Sequence, residues 1–252
     1  MKILVTGAAG RIGTAFRERY ADYNSLRAMY HRTRLKPFPG EEVVQGDITD
    51  FDSVLKATKG VDAVVHLALV RRGDWGDWES AHRNMVGMYH VFEAARRSGL
   101  RKVVFASSNH ACGYAVKEND IVGPDAPLRP DSYYGVNKAF GETLGRFYSD
   151  QYSMSVICLR IGWFPGLEDP SDRFMEILSE DQTSSFYSAG KLIAMWISNR
   201  YMAQLIHRTL ETHLEYGIFY GVSENTPRIF DLAKTKEKLG YKPEDHAEDY
   251  LP

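Results

Sequence analysis

Short β-branched and apolar runs alternate with longer amphipathic stretches along almost the whole chain, and this alternation constrains the fold more than any other feature. The runs are Lys2 to Thr6, Ser25 to Tyr30, Glu42 to Gln45, Ala63 to Leu67, Lys102 to Ala106, Ser155 to Leu159 and Gly217 to Tyr220. The gaps leave room for crossover helices, as over Trp78 to Ser98 and Ser132 to Tyr152. Such alternation predicts an α/β protein whose parallel sheet is covered on both faces. Crossovers between parallel strands are right-handed, so a doubly wound sheet is the simplest topology. No repeat, low-complexity tract or linker divides the 252 residues. One domain is therefore expected over 1–252, with residues of about 162–200 and 222–252 contributing a small C-terminal cap.

Composition excludes several classes of partner. A formal net charge of −2 carries none of the basic excess that nucleic acids or anionic membranes select. No apolar stretch approaches the roughly 20 residues of a spanning helix, and the first residues run into a strand with no cleavable signal pattern. Cys112 and Cys158 are too few for a disulfide framework and lack zinc-ligand spacing. They read as buried thiols in a reducing, cytoplasmic setting, and no metal centre is expected.

Thr6-Gly7-Ala8-Ala9-Gly10-Arg11-Ile12-Gly13 follows the first strand and opens a helix. A turn without side chains lets backbone N–H groups and a helix N-terminus approach a pyrophosphate, so Gly7, Gly10 and Gly13 predict dinucleotide binding. The cofactor is chosen where the second strand ends, because a carboxylate there would bind the 2′-hydroxyl of the adenosine ribose. Met29-Tyr30-His31-Arg32-Thr33-Arg34 offers none. Arg32 can pair with a 2′-phosphate, helped by His31 or Arg34, which favours NADP over NAD. Asp47, before Ile48, suits either an acceptor for the adenine amine or a helix-cap or turn role.

The fifth run ends in Ser107-Ser108-Asn109-His110, at the sheet edge where parallel folds bind ligands. Ser-Tyr-Tyr-Gly-Val-Asn-Lys follows at residues 132–138. Four-residue spacing puts Tyr134 and Lys138 on one helix face, whereas Tyr133 is rotated away by about 100° and keeps a packing role. A phenol with a reference pKa of about 10 is a poor base. An adjacent ammonium and an oxidised nicotinamide would both favour phenolate, so that Tyr134 removes a hydroxyl proton while Ser108 holds the reacting oxygen.

The set Gly7-x-x-Gly10-x-x-Gly13, Asp47-Ile48, His66-Leu67-Ala68, Asn84, Ser107-Ser108, Tyr134-x-x-x-Lys138 and Lys238-Leu239-Gly240-Tyr241-x-Pro243 resembles the extended short-chain dehydrogenase/reductases over nearly the whole length. The resemblance implies a Rossmann sheet of about seven strands, with Arg11, Ile12, Leu67 and Ala68 also at the cofactor. It implies Tyr134 as catalytic acid/base, Lys138 bridging the nicotinamide ribose and lowering the tyrosine pKa, and Ser108 orienting the substrate oxygen. Asn84 would support a proton-relay water, and the two long helices would pair in a homodimer.

A narrower likeness lies in Phe105 to His110, Pro130 to Lys138, Arg160-Ile161-Gly162 and Met195-Trp196-Ile197-Ser198. These segments resemble uronate dehydrogenases and archaeal glucose-6-phosphate dehydrogenases, which oxidise C1 of an anionic pyranose to a lactone. The resemblance implies that Asn109 and His110 contact sugar hydroxyls. Trp163 stands where the uronate enzymes have serine, Lys191 where they have a carboxylate-binding arginine, and an acidic insertion spans Leu167 to Gly190. Lysine is a point charge and not a bidentate fork. Arg71 with Lys191 would suit a phosphate, or each is a solvated surface residue. Two other readings fit the same scaffold: a nucleotide-sugar epimerase or dehydratase that retains NAD(P), for which about ninety residues after Ile161 make a short cap, and a non-catalytic dinucleotide sensor.

Overall fold

The computed structural model describes residues 1–70, 77–179 and 186–251. Seven strands, β1 (Lys2–Thr6), β2 (Ser25–Tyr30), β3 (Glu42–Gln45), β4 (Ala63–His66), β5 (Lys102–Ser108), β6 (Ser155–Ile161) and β7 (Tyr216–Gly221), form one sheet. Its order is β3-β2-β1-β4-β5-β6-β7, and every neighbouring pair is parallel. The chain winds outward in one direction from β1 and in the other from β4, so the crevice between their carboxyl ends is the switch point where such sheets bind ligands.

The helices are α1 (Arg11–Tyr20), α2 (Phe51–Thr58), α3 (Trp78–Arg97), α4 (Gly113–Glu118), α5 (Tyr133–Tyr152), α6 (Ser171–Ser179), α7 (Ala189–Ala194), α8 (Asn199–Glu211) and α9 (Ala233–Leu239). Side chains alternate across each strand. Ile3, Val5, Val65, Val104 and Ile157 therefore join the core with Phe16 of α1 and Leu205 of α8. Leu4, Val64, Val103 and Val156 face the opposite way, against Val54 of α2, Phe92 of α3 and Tyr148 of α5.

What positions the site is the close approach of α5 to the sheet. Ser132 caps the helix by accepting the Gly135 N–H at 3.1 Å. Farther along, a Cβ on Gly141 would run into the Phe105 ring and the Met88 sulfur, and one on Gly145 would meet Val156. A buried ion pair fixes the same junction. Glu142 of α5 accepts from Nε and Nη2 along one guanidinium edge of Arg160 on β6, each at 2.9 Å, and Ser107 donates to the same carboxylate at 2.6 Å.

Beyond Ile161 the chain builds a smaller layer over the carboxyl edge. Gly162 passes so close to Met195 that a Cβ would strike the Met195 carbonyl oxygen. Trp163 and Trp196 form a parallel bridge next to it. Phe174, Ile193 and Trp196 make one apolar cluster. Tyr187, Met195 and Phe230 make another, together with Val116 and Val122 from the α4 region, which belongs to this layer although it lies before α5 in the chain.

Candidate active site

The phosphate loop has room for backbone only. Gly7 adopts φ +70°, and a Cβ there would sit 2.6 Å from the Ala68 nitrogen. A Cβ on Gly13 would sit 2.7 Å from the Gly7 carbonyl oxygen. Gly10 begins α1 without a side-chain cap, leaving the first helical N–H groups of Arg11, Ile12 and Gly13 to an anion. The cradle therefore fits a dinucleotide pyrophosphate. From it a cleft of about 450 Å³ runs past Met29, Arg32 and Asp47-Ile48, with Leu67 to Val70 on its other side.

Asp47 makes the anticipated turn and also reaches the wall of the first cleft. Its Oδ1 accepts the Thr49 N–H at 2.9 Å and the Thr49 hydroxyl at 2.8 Å, which makes a turn. Its Oδ2 lies 3.3 Å from His31 Nε2 at the cleft wall. Burial pushes this carboxyl up, but the Thr49 bonds and the charges of His31 and Arg83 prevail and hold it below the usual range.

The groove continues into a second cleft of about 710 Å³ that shares Gly7, Gly10, Leu67 and Leu69 with the first and also takes in Ser108, His110, Tyr134, Lys138, Trp163 and Phe186. Ser108 closes β5 and hydrogen-bonds Tyr134. Lys138 Nζ donates to the Ala106 carbonyl at 2.6 Å and lies 5.4 Å from the Tyr134 ring centroid. Burial pushes the Tyr134 phenol up to about 12, with the Ser108 bond lowering it and the Asp131 charge raising it. Burial brings Lys138 down to about 8, against the Glu142 charge. The anticipated lowering of the phenol is thus not what the chain alone produces: desolvation of the phenolate outweighs the Ser108 bond, and the Lys138 ammonium is turned onto a backbone carbonyl.

Residues 3–180 match the NAD dependent epimerase/dehydratase family. The chain belongs to this family. It is an oxidoreductase of the extended short-chain dehydrogenase/reductase type. Uronate dehydrogenase of Pseudomonas syringae pv. tomato is 33% identical over 250 residues, covering 98% of this chain and 83% of that protein. L-arabinose 1-dehydrogenase (NAD(P)(+)) of Haloferax volcanii is 34% identical over 260 residues, covering 98% and 97%. The crystal structure of uronate dehydrogenase from Agrobacterium tumefaciens superposes with a TM-score of 0.82 at 34% identity, covering 99% of this chain and 86% of that one.

In this oxidoreductase the remaining anticipated residues separate into three groups. His110 lines the second cleft with Nδ1 2.8 Å from Asp131, whereas Asn109 is buried and is not among the lining residues, its Nδ2 3.1 Å from the Met195 sulfur. Trp163 both lines the cleft and packs on Phe174, with ring centroids 5.7 Å apart.

Asn84 is committed to backbone: its Oδ1 accepts the Val70 N–H at 2.7 Å, and its Nδ2 donates to Val70 O and Ser80 O. It pins Val70 after β4 and is not among the residues that line either cleft.

Lys191 is not among the residues that line the second cleft. Its Nζ donates to the carbonyls of Val116, Lys117 and Asn119 at 2.8, 3.1 and 3.1 Å, capping the C-terminus of α4, where a cation is favoured. Arg71 and its neighbour Arg72 lie outside the described residues.

Among the residues at or behind the cleft walls that were not anticipated are Arg83, Asp131, Phe186 and Tyr187. Arg83 joins the cofactor wall, while Asp131 and Phe186 line the substrate end. Tyr187 bonds Asp131 at 3.1 Å. Asp131 could have been suspected from Pro130-Asp131-Ser132 ahead of α5, whereas nothing local to Phe186-Tyr187 signals that the insertion folds back to the site.

Proposed function

We propose that this enzyme oxidises the C1 hydroxyl of an aldose to the lactone, with hydride passing to NAD(P). The observation that carries the reading is the meeting of Ser108, Tyr134 and Lys138 at the junction of the phosphate-loop cleft and the cap pocket. A nicotinamide held there supplies the hydride acceptor. Ser108 orients the sugar oxygen, and Tyr134 takes its proton, a step worth about 10²–10⁴ in rate. Buried Lys138 supplies the nearby positive charge that a phenolate needs. The names of the relatives, which include uronate and L-arabinose dehydrogenases, point to sugars as the substrate class.

Asn109 and His110 suit sugar hydroxyls. With Lys191 committed to α4, recognition of a uronate carboxylate or a sugar phosphate falls to Arg71. Arg32 in the cleft wall, with no carboxylate at the end of β2, supports a preference for NADP. The outer faces of α3 and α5 expose Trp78, Tyr89, Tyr133, Phe140, Phe147 and Tyr152, which suits a homodimer through these helices. The buried thiols of Cys112 and Cys158 suit the cytoplasm, and no described helix is long and apolar enough to cross a membrane.

Initial rates of nicotinamide reduction with galacturonate, glucuronate, glucose 6-phosphate and L-arabinose, each with NAD and NADP, test the reading. Turnover of at least one sugar is expected, with Arg32→Ala lowering the NADP/NAD ratio of kcat/KM by about tenfold or more. No reduction with any sugar overturns it. A ratio untouched by Arg32→Ala overturns the cofactor assignment.

A further inference from the structure

A closed set of hydrogen bonds stands behind His110. The Asp131 carboxylate, 2% exposed, receives His110 Nδ1 at 2.8 and 3.0 Å, the Ser132 hydroxyl at 2.9 Å and the Tyr187 hydroxyl at 3.1 Å. The Tyr187 oxygen in turn accepts Asn109 Nδ2 at 3.4 Å. All of these groups can donate inward, and an ionised carboxylate can only accept. Burial pushes the Asp131 carboxyl up, but the His110 bond and charge and the Ser132 and Tyr187 bonds outweigh it and hold the carboxyl below its ordinary value. Nδ1 must then carry a proton, and a neutral ring offers its other nitrogen as an acceptor.

The backbone is shaped around this arrangement. A Cβ on Gly113 would collide with the Asp131 carboxylate, and one on Gly135 with the His110 carbonyl oxygen. His110 lines the substrate cleft, its ring centroid 5.6 Å from that of Tyr134. Its Nε2 has no hydrogen-bond partner among the described residues. Tyr187 comes from the insertion before α7, so this cap segment meets His110 through the Tyr187 hydroxyl on Asp131 and through its ring, 5.7 Å from that of His110.

We infer that Asp131 and Tyr187 are positioning residues that lock His110 in the Nδ1–H tautomer, so that its Nε2 accepts a hydrogen bond from a sugar hydroxyl beside the oxidised carbon. The role in sugar binding rests on the proposed aldose oxidation; the tautomer does not. It makes the pocket selective for substrates that donate at that position, since His110, 36% exposed in the open cleft, loses its water to a bound sugar and is left unpaired where the hydroxyl is missing.

Nitrogen-15 NMR of the histidine rings near neutral pH, with His110 assigned by the loss of its signals in His110→Gln, reads the tautomer without any sugar. The wild type is expected to show Nδ1 protonated and Nε2 unprotonated, and Asp131→Asn to lose that preference. With the best sugar from the rate screen, Asp131→Asn should raise KM about 10-fold or more and lower kcat by less. Tyr187→Phe, which keeps the carboxylate, should raise KM by roughly 3- to 10-fold without changing the tautomer. NADPH affinity should stay within about twofold in both, as neither side chain lines the first cleft, which takes the adenosine half. A wild-type ring protonated at Nε2, as neutral tautomer or imidazolium, overturns the inference, and so does an Asp131→Asn enzyme whose KM stays within about twofold of wild type. If no sugar is oxidised, the proposed function fails, and the ring tautomer still decides this inference.

Discussion

Lys138 shows how a single side chain of the candidate site is held at a cost to the fold. It is 7% exposed, and burial brings its ammonium down to about 8 from an ordinary value of 10.5. A base whose folded pKa lies below its unfolded one binds fewer protons when folded, so it opposes folding at pH values below 8 and is relieved as the pH rises towards 10.5. The penalty near neutrality is about 3 kcal/mol, offset by about 1 kcal/mol from the bond to Ala106. Lys138→Met should therefore abolish turnover while raising Tm by a few degrees. Thermal melts of the two proteins check this; a variant less stable than wild type would show that the lysine is a net stabiliser.

Tyr134, Lys138 and Ser108 were legible in the sequence because helical spacing and a strand end are local properties. Asp131 and Tyr187 were not, since their partners are tertiary. Lys191 was misplaced for the same reason: its distance along the chain from α4 hides the three carbonyls that capture it.

At the level of elements, the junction of α5 with β5 and β6 carries the site, and the Arg160–Glu142 pair is its clasp. Both side chains are almost fully buried, at 1% and 2% exposed, and Arg160 also donates to the Pro124 carbonyl at 3.1 Å. Removing one member of a buried pair strands the other charge. Arg160→Met is expected to cost about 3–5 kcal/mol in urea denaturation, and Arg160→Met with Glu142→Leu should recover most of the loss. Equal destabilisation in the single and double variants would mean that the pair acts through packing and not through charge. The sheet itself was readable from the alternation of runs, because strands buried on both faces are continuously apolar. The joining of α4 to the cap was not, since Val116 and Val122 differ from other buried residues only in what they face.

Over the whole molecule, a second buried base shapes the response to acid. His66 lies at the end of β4, bonded to the Thr6 hydroxyl at 2.8 Å, and burial with the nearby Lys138 charge brings its pKa down to about 3. The unfolded chain takes up this proton near its ordinary value of 6.5, the folded one only near 3, so stability falls as the pH drops through that interval. Between about pH 7 and 4.5 this group alone should remove roughly 3 kcal/mol, and His66→Gln should flatten that part of the curve. Urea midpoints across the range decide it; a variant as acid-sensitive as wild type would assign the effect to other groups.

The same architecture places the phosphate loop, the Ser108 strand end and the Tyr134 helix around one groove, and in the proposed function that groove carries out proton and hydride transfer on a sugar through Tyr134 and not its neighbour. The most direct measurement is kcat/KM for nicotinamide reduction by wild type, Tyr134→Phe and Tyr133→Phe with the best aldose. Tyr134→Phe should fall by about 10² or more with NADPH affinity retained, while Tyr133, exposed and packed edge-on against Trp78, should tolerate phenylalanine within about twofold. Two variants that behave alike would contradict the account.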